Sequence, residues 1–219
     1  FYSTTNAGVF KSNNRGVSWF PANNQLADLQ ITSLAFTPDF ATSKILFAGT
    51  LMSGIFKTTN GGDGWIAANN GLQELNITDV EVTAASVLLV STQTKGVFRS
   101  TDGAYSWQES NKGINEKLSI QSDIHFFDLA ISSDSSAYQN IFLSTFEGLY
   151  YSDTEGQNWV QLDVFNQEIT RGIAVSPDFA QDRTLFATTY GGGVLKFNDS
   201  TDSWEAVNRG GLMILHADP

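Results

Sequence analysis

The sequence predicts an all-β protein: a five-bladed β-propeller of four-stranded antiparallel blades, with the last A strand completing the first blade. Three observations carry this. Gly8, Gly54, Gly96, Gly148 and Gly193 are each followed 11 residues later by a tryptophan, Trp19, Trp65, Trp107, Trp159 and Trp204. Successive copies lie 42–52 residues apart, an interval of propeller blades. Each copy holds four short apolar runs separated by Gly, Asn, Asp and Ser clusters.

The elements follow in order. Strand A is read at Ile31–Phe36, Thr78–Val82, Phe127–Ile131, Gly172–Val175 and Met213–Ala217. Strand B runs at Phe1–Thr4, Phe47–Thr50, Leu89–Thr92, Phe142–Thr145 and Phe186–Thr189. Strand C is the apolar pair after each glycine: Val9-Phe10, Ile55-Phe56, Val97-Phe98, Leu149-Tyr150 and Val194-Leu195. A tight turn then leads to strand D, which begins at the tryptophan. In that turn Asn14, Asn60, Asp102 and Asp199 are placed to accept turn amides, as Asx side chains do. Gly16, Gly62 and Gly156 supply positive φ without steric cost. Each tryptophan is expected to bury its ring and anchor the returning strand. No helix longer than a single turn is expected.

The string Ser/Thr-x-Asp/Asn-x-Gly-x-x-Trp resembles the Asp box, or BNR repeat, of sialidases, xyloglucanases, sortilin-type receptors and photosystem II assembly-factor propellers. Thr37-Pro38-Asp39-Phe40-Ala41 and Ser176-Pro177-Asp178-Phe179-Ala180, each leading to Leu-Phe-Ala, are similar to bacterial secreted BNR-repeat proteins. The resemblance spans nearly the whole chain and implies the propeller fold. Two boxes depart from it and are expected to be looser: Thr154 replaces the acidic residue, and the fifth copy has Phe197 and Thr201 for Ser and Gly.

The blades divide as 1–27 plus 211–219, 28–72, 73–115, 116–166 and 167–210, all in one domain. The chain begins inside a B strand and ends inside an A strand. Pro219 matches Pro38 and Pro177, and Phe1 matches Phe47 and Phe186. The termini are therefore expected to meet where an A–B loop would run. A piece of a larger ring or surface protein stays open as the alternative.

Net charge is −11, from 23 acidic and 12 basic residues. Nucleic acid binding needs a positive footprint, which is absent, and an anionic membrane surface is disfavoured equally. There is no cysteine, hence no disulfide or thiolate chemistry. No apolar run reaches the roughly 20 residues of a spanning helix. No histidine spacing suggests a metal site, and His125 and His216 read as structural. No cofactor is expected.

Antiparallel meanders put the A–B and C–D loops on one face and the B–C and D–A loops on the other. The boxes are C–D turns, so their carboxylates read as turn holders. Copies differ on the second face, where binding residues usually sit. The candidates are Tyr190, Phe146, Glu147, Met52, Lys95, Arg171, Arg209 and His125, with the long 112–125 link. Tyr190, before three glycines, is the leading one, because an exposed aromatic ring among small residues can stack on a ligand. A sialidase-like site needs three arginines, and only Arg171 and Arg209 are placed for it. Another glycosidase needs two facing carboxylates. Asp79, Asp128, Glu147 and Glu168 are the ones to consider. The reading is a non-enzymatic, extracellular or cell-surface interaction module, periplasmic as a variant, that presents loops to a protein or glycan. The alternatives are a glycan-active enzyme related to sialidases or xyloglucanases, and an assembly factor docking on a membrane complex.

Overall fold

The computed structural model describes residues 1–114, 125–133, 139–162, 169–198 and 203–207. The chain divides into two compact units, Phe1–Asn111 and Lys112–Pro219.

The first unit holds three antiparallel meanders. One is β1 (Tyr2–Thr5), β2 (Gly8–Lys11) and β3 (Phe20–Pro21). The next is β4 (Ile31–Phe36), β5 (Leu46–Thr50), β6 (Ile55–Thr58) and β7 (Ile66–Ala67). The last is β8 (Ile77–Val82), β9 (Leu88–Thr92), β10 (Val97–Ser100) and β11 (Gln108–Glu109). The second unit holds β12 (Phe126–Ile131), β13 (Ile141–Thr145), β14 (Gly148–Ser152) and β15 (Val160–Leu162), then β16 (Thr170–Val175), β17 (Leu185–Thr189), β18 (Gly193–Asn198) and β19 (Ser203–Ala206). Single-turn helices α1 (Phe40–Ser43) and α2 (Phe179–Asp182) fill two A–B loops. The A strand proposed for the first blade, 213–217, lies outside the described residues, as does the expected closure.

Strands β5, β9 and β13 are buried along their whole length, so their side chains pack on both sheet faces. In the first unit one apolar cluster joins Val9, Leu46, Phe56 and Trp65, and a second joins Phe47, Ile55, Ile77, Phe98 and Trp107. In the second unit Phe142, Leu149, Phe179 and Leu185 form a core.

The boxes form one repeated hydrogen-bond unit. The hydroxyls of Ser12, Thr58, Ser100 and Ser152 accept the amides of Gly16, Gly62, Ala104 and Gly156 at 2.8–3.0 Å. Asn14, Asn60 and Asp102 accept the amides of Ser18, Gly64 and Ser106. Thr154 does the same for Asn158 at 3.0 Å, so this box is not the looser turn its sequence suggested: a hydroxyl oxygen reaches the same amide. Each turn has two successive left-handed residues, such as Gly61 and Gly62 (φ 69° and 90°). Ala104 takes that conformation without being glycine (φ 68°). The fifth box, with Asp199 and Thr201, lies outside the described residues.

The tryptophans tie sheet to sheet. The expected burial of the ring holds at Trp65, Trp107 and Trp159 and fails at Trp19; in the first unit the buried rings of Trp65 and Trp107 also fasten their sheets to the preceding one. The Trp65 indole N–H donates to Ala22 O and its backbone N–H to Asn24 O. Trp107 repeats this on Ala68 O and Asn70 O. Strand D is correspondingly short and starts just after the tryptophan in the first four sheets. Trp65 is 1% exposed, whereas Trp19 is 40% exposed. The Trp19 indole instead donates to Gly16 O of its own turn. A second fastening runs the other way. Lys11 and Lys57, on the C strands, donate to Gly61 O and Gly103 O in the next box at 3.0 and 2.8 Å.

Candidate functional site

The B–C loops are shaped by an asparagine four residues after the tryptophan. Asn23, Asn69 and Asn111 each accept the amide of the residue after the repeat glycine, Val9, Ile55 or Val97, at 2.7 Å. Each side-chain amide donates back into the loop, to Ala7 O, Ser53 O or Lys95 O at 2.9–3.0 Å. The asparagine lies against the glycine, and a Cβ at Gly8, Gly54 or Gly96 would overlap it. In the fourth copy Gln161 supplies the donor, to Glu147 O at 2.9 Å. Asp163, at the asparagine position, lies outside the described residues, as does Asn208.

Three positions per repeat then converge on the B–C loop face. The residue after the B-strand threonine donates its amide to the residue just before strand A. These pairs are Leu51–Gln30, Gln93–Asn76, Phe146–His125 and Tyr190–Ile169. The third position is the second residue of strand A. A β-bulge interrupts the ladder there in all four described A strands, at Thr32, Thr78, Phe127 and Arg171. Bulges re-aim side chains.

The equivalent positions differ sharply between units. In the first unit they carry Gln30, Thr32 and Leu51, then Asn76, Thr78 and Gln93. Asn76 and Gln93 hydrogen-bond each other, and Thr78 bonds Ser91 at 2.7 Å. In the second unit they carry His125, Phe127 and Phe146, then Ile169, Arg171 and Tyr190. There planar groups gather. The His125 and Phe127 rings lie 6.4 Å apart at 15°. The Arg171 guanidinium carbon sits 4.9 Å from the Phe127 ring centre and 5.5 Å from that of Tyr190, within cation–π range. Tyr190 and Phe146 are 54% and 47% exposed. Among the described residues Arg171 has neither an ion pair nor a hydrogen-bond acceptor.

The structure thus brings together five sequence candidates of the second unit: His125, Phe146, Glu147, Arg171 and Tyr190. Met52 and Lys95 belong to the first unit, on exposed loop tips. Their backbone amides are capped by Asp28 and Glu74 at 3.0 and 2.9 Å. Arg209, His216 and most of the 112–125 link lie outside the described residues. Phe127 was missed. Aligning the A strands places it opposite Thr32, Thr78 and Arg171, which is the signal that could have found it.

Two of the carboxylates considered for catalysis, Asp79 and Asp128, have backbone partners. Asp79, buried, accepts the Val80 amide, and Asp128 accepts the Ile173 amide, each at 2.8 Å. Glu168 lies outside the described residues. Burial, and then the charge of Glu147, pushes the Tyr150 phenol up to about 12. Among the described residues no cluster of metal-binding side chains occurs.

No family model matches the chain, and no curated protein does. Solved structures do. A GH74 xyloglucanase from Xanthomonas campestris superposes with a TM-score of 0.74 at 15% identity, over 96% of this chain and 36% of that one. The extracellular domain of a putative one-component system, BT4673 of B. thetaiotaomicron, gives 0.72 at 15% identity, over 94% and 25%. YCF48 bound to D1 peptide gives 0.61 at 19% identity, over 89% and 59%. What is shared is the β-propeller-type fold. The chain spans between a quarter and three-fifths of these proteins' lengths.

Proposed function

We propose that this chain is a non-enzymatic, extracellular interaction module whose second unit binds a partner on its B–C loop face. The observation that carries the reading is the exchange, at equivalent repeat positions, of a set made of amide and hydroxyl side chains with Leu51 for one made of aromatic and arginine side chains with Ile169. The scaffold is otherwise repeated, so the fold itself does not require that exchange. Aromatic residues and arginine are the types enriched where proteins meet ligands. Support for a protein partner comes from the likeness to YCF48 bound to D1 peptide. Support for an extracellular place comes from the extracellular domain of BT4673. No helix among the described residues is long and apolar enough to cross a membrane. The engagement of Asp79 and Asp128 by backbone amides supports a binding role over hydrolysis.

The test compares Phe146→Ala and Tyr190→Ala with the equivalent Leu51→Ala and Gln93→Ala, using peptide and glycan arrays and a β-glucan hydrolysis assay. Binding lost in the first pair and kept in the second, with no hydrolysis, is the expected result. Turnover of a glycan, or binding indifferent to Phe146 and Tyr190, defeats the proposal.

A further inference from the structure

We infer that the Arg171 column receives the carboxylate of a peptide, held by the guanidinium edge with an apolar side chain against Phe146; this rests on the binding reading above. A guanidinium has two faces and one in-plane edge carrying five N–H donors. The Arg171 guanidinium lies within cation–π range of both the Phe127 and Tyr190 rings, at 4.9 and 5.5 Å from their centres, a contact that leaves its N–H donors unspent. Among the described residues no acceptor occupies that edge. Contact with two rings restrains the Arg171 side chain, so less side-chain freedom is lost when a planar oxyanion docks by two parallel hydrogen bonds.

Charge decides which anion. Among the described residues of the second unit, Arg183 stacks on Phe179 of α2, and Lys196 lies over Phe186. Neither belongs to the column. The chain carries −11 overall, which opposes polyanions such as polyuronates or phosphorylated partners. A ligand with one carboxylate in apolar surroundings suffers least from that field and fits the half-exposed Phe146 ring. The backbone next to Tyr190 is open: Gly191 adopts φ 98°, and among the described residues other than its chain neighbours no atom lies within 4 Å of where its Cβ would stand.

The probes are the tripeptide acetyl-Ala-Ala-Phe as the free acid, the same peptide as the amide, acetyl-Ala-Asp-Phe amide, and trigalacturonate. Each is titrated into the whole chain and followed by the NMR resonances of the Arg171 side chain and the Tyr190 ring. The expected result is binding of the free acid, or of the Asp-containing amide, with about tenfold weakening in Arg171→Gln. Which of the two binds tells a terminal from a side-chain carboxylate. Arg171→Lys keeps the charge but not the planar fork and is expected to weaken binding as well. Equal binding of acid and amide, lost in Tyr190→Ala but not in Arg171→Gln, overturns the carboxylate while leaving the binding face standing. No response to any peptide at millimolar concentration overturns the inference, and so does preference for trigalacturonate.

Discussion

Replacing Asn111 by alanine tests how the loop face is built. Asn111 is 5% exposed and spans its B–C loop: Oδ1 accepts from Val97, and Nδ2 donates to Lys95 O and to Glu109 Oε1. Alanine removes two bonds to the backbone and strands the buried Val97 amide. At about 1 kcal/mol per lost bond and 1–3 kcal/mol for an orphaned donor, the expected cost is roughly 2–4 kcal/mol. For a chain of this size that lowers the melting temperature by about 2–4 °C per kcal/mol. Hydrogen exchange gives the local readout, and the Val97 amide should lose protection first. The fourth copy suggests a rescue, because there an Asp stands at the Asn position and Gln161 supplies the donor. The pair Glu109→Gln with Asn111→Asp should therefore recover much of the loss, while Asn111→Asp alone should not. If Asn111→Ala melts like the wild type and Val97 stays protected, the clamp contributes nothing and the reasoning fails.

The remaining predictions concern the box, its tryptophan and one glycine. Trp65→Ala should cost about 3–5 kcal/mol in chemical denaturation, whereas the half-exposed Trp19→Ala should cost about 1 kcal/mol or less; equal costs would refute the sheet-to-sheet fastening. Gly71→Ala should destabilise by about 3 kcal/mol, since its φ is 95° and a Cβ would overlap the Trp107 carbonyl oxygen; a neutral result in a urea titration would contradict the close approach. Asp102 is held down to about 2 by the Ser106 hydroxyl, the Ser106 amide and Ser100. Its folded value is depressed, so its stabilisation is complete above the unfolded value of about 3.9 and fades as pH falls toward about 2. Urea midpoints measured over that window should drop less steeply in Asp102→Asn than in the wild type.

Much of the fold was legible because the repeat is written in residues with one local purpose. The Asx and hydroxyl positions of the boxes, the turn glycines and the apolar alternation of strands A to C act within a few residues of themselves. Thr154 was misjudged from chemistry type, though its hydroxyl satisfies the same amide as a carboxylate. Phe127 was passed over because it reads as one more apolar residue of a strand; in the structure it stands at the bulge with its ring 4.9 Å from the Arg171 guanidinium carbon.

By itself the sequence determined the period, the strand order within each sheet and the loops that carry variation, since spacing and side-chain type set these locally. The tertiary structure decided what each conserved-looking position of the repeat touches. That the tryptophan fastens to the previous sheet, that the asparagine sits over the glycine 15 residues before it, and that a guanidinium lies within cation–π range of two rings all depend on contacts across sheets or distant loops. Such contacts leave no local signal, because each partner keeps its own strand or turn preference whether or not the other is present.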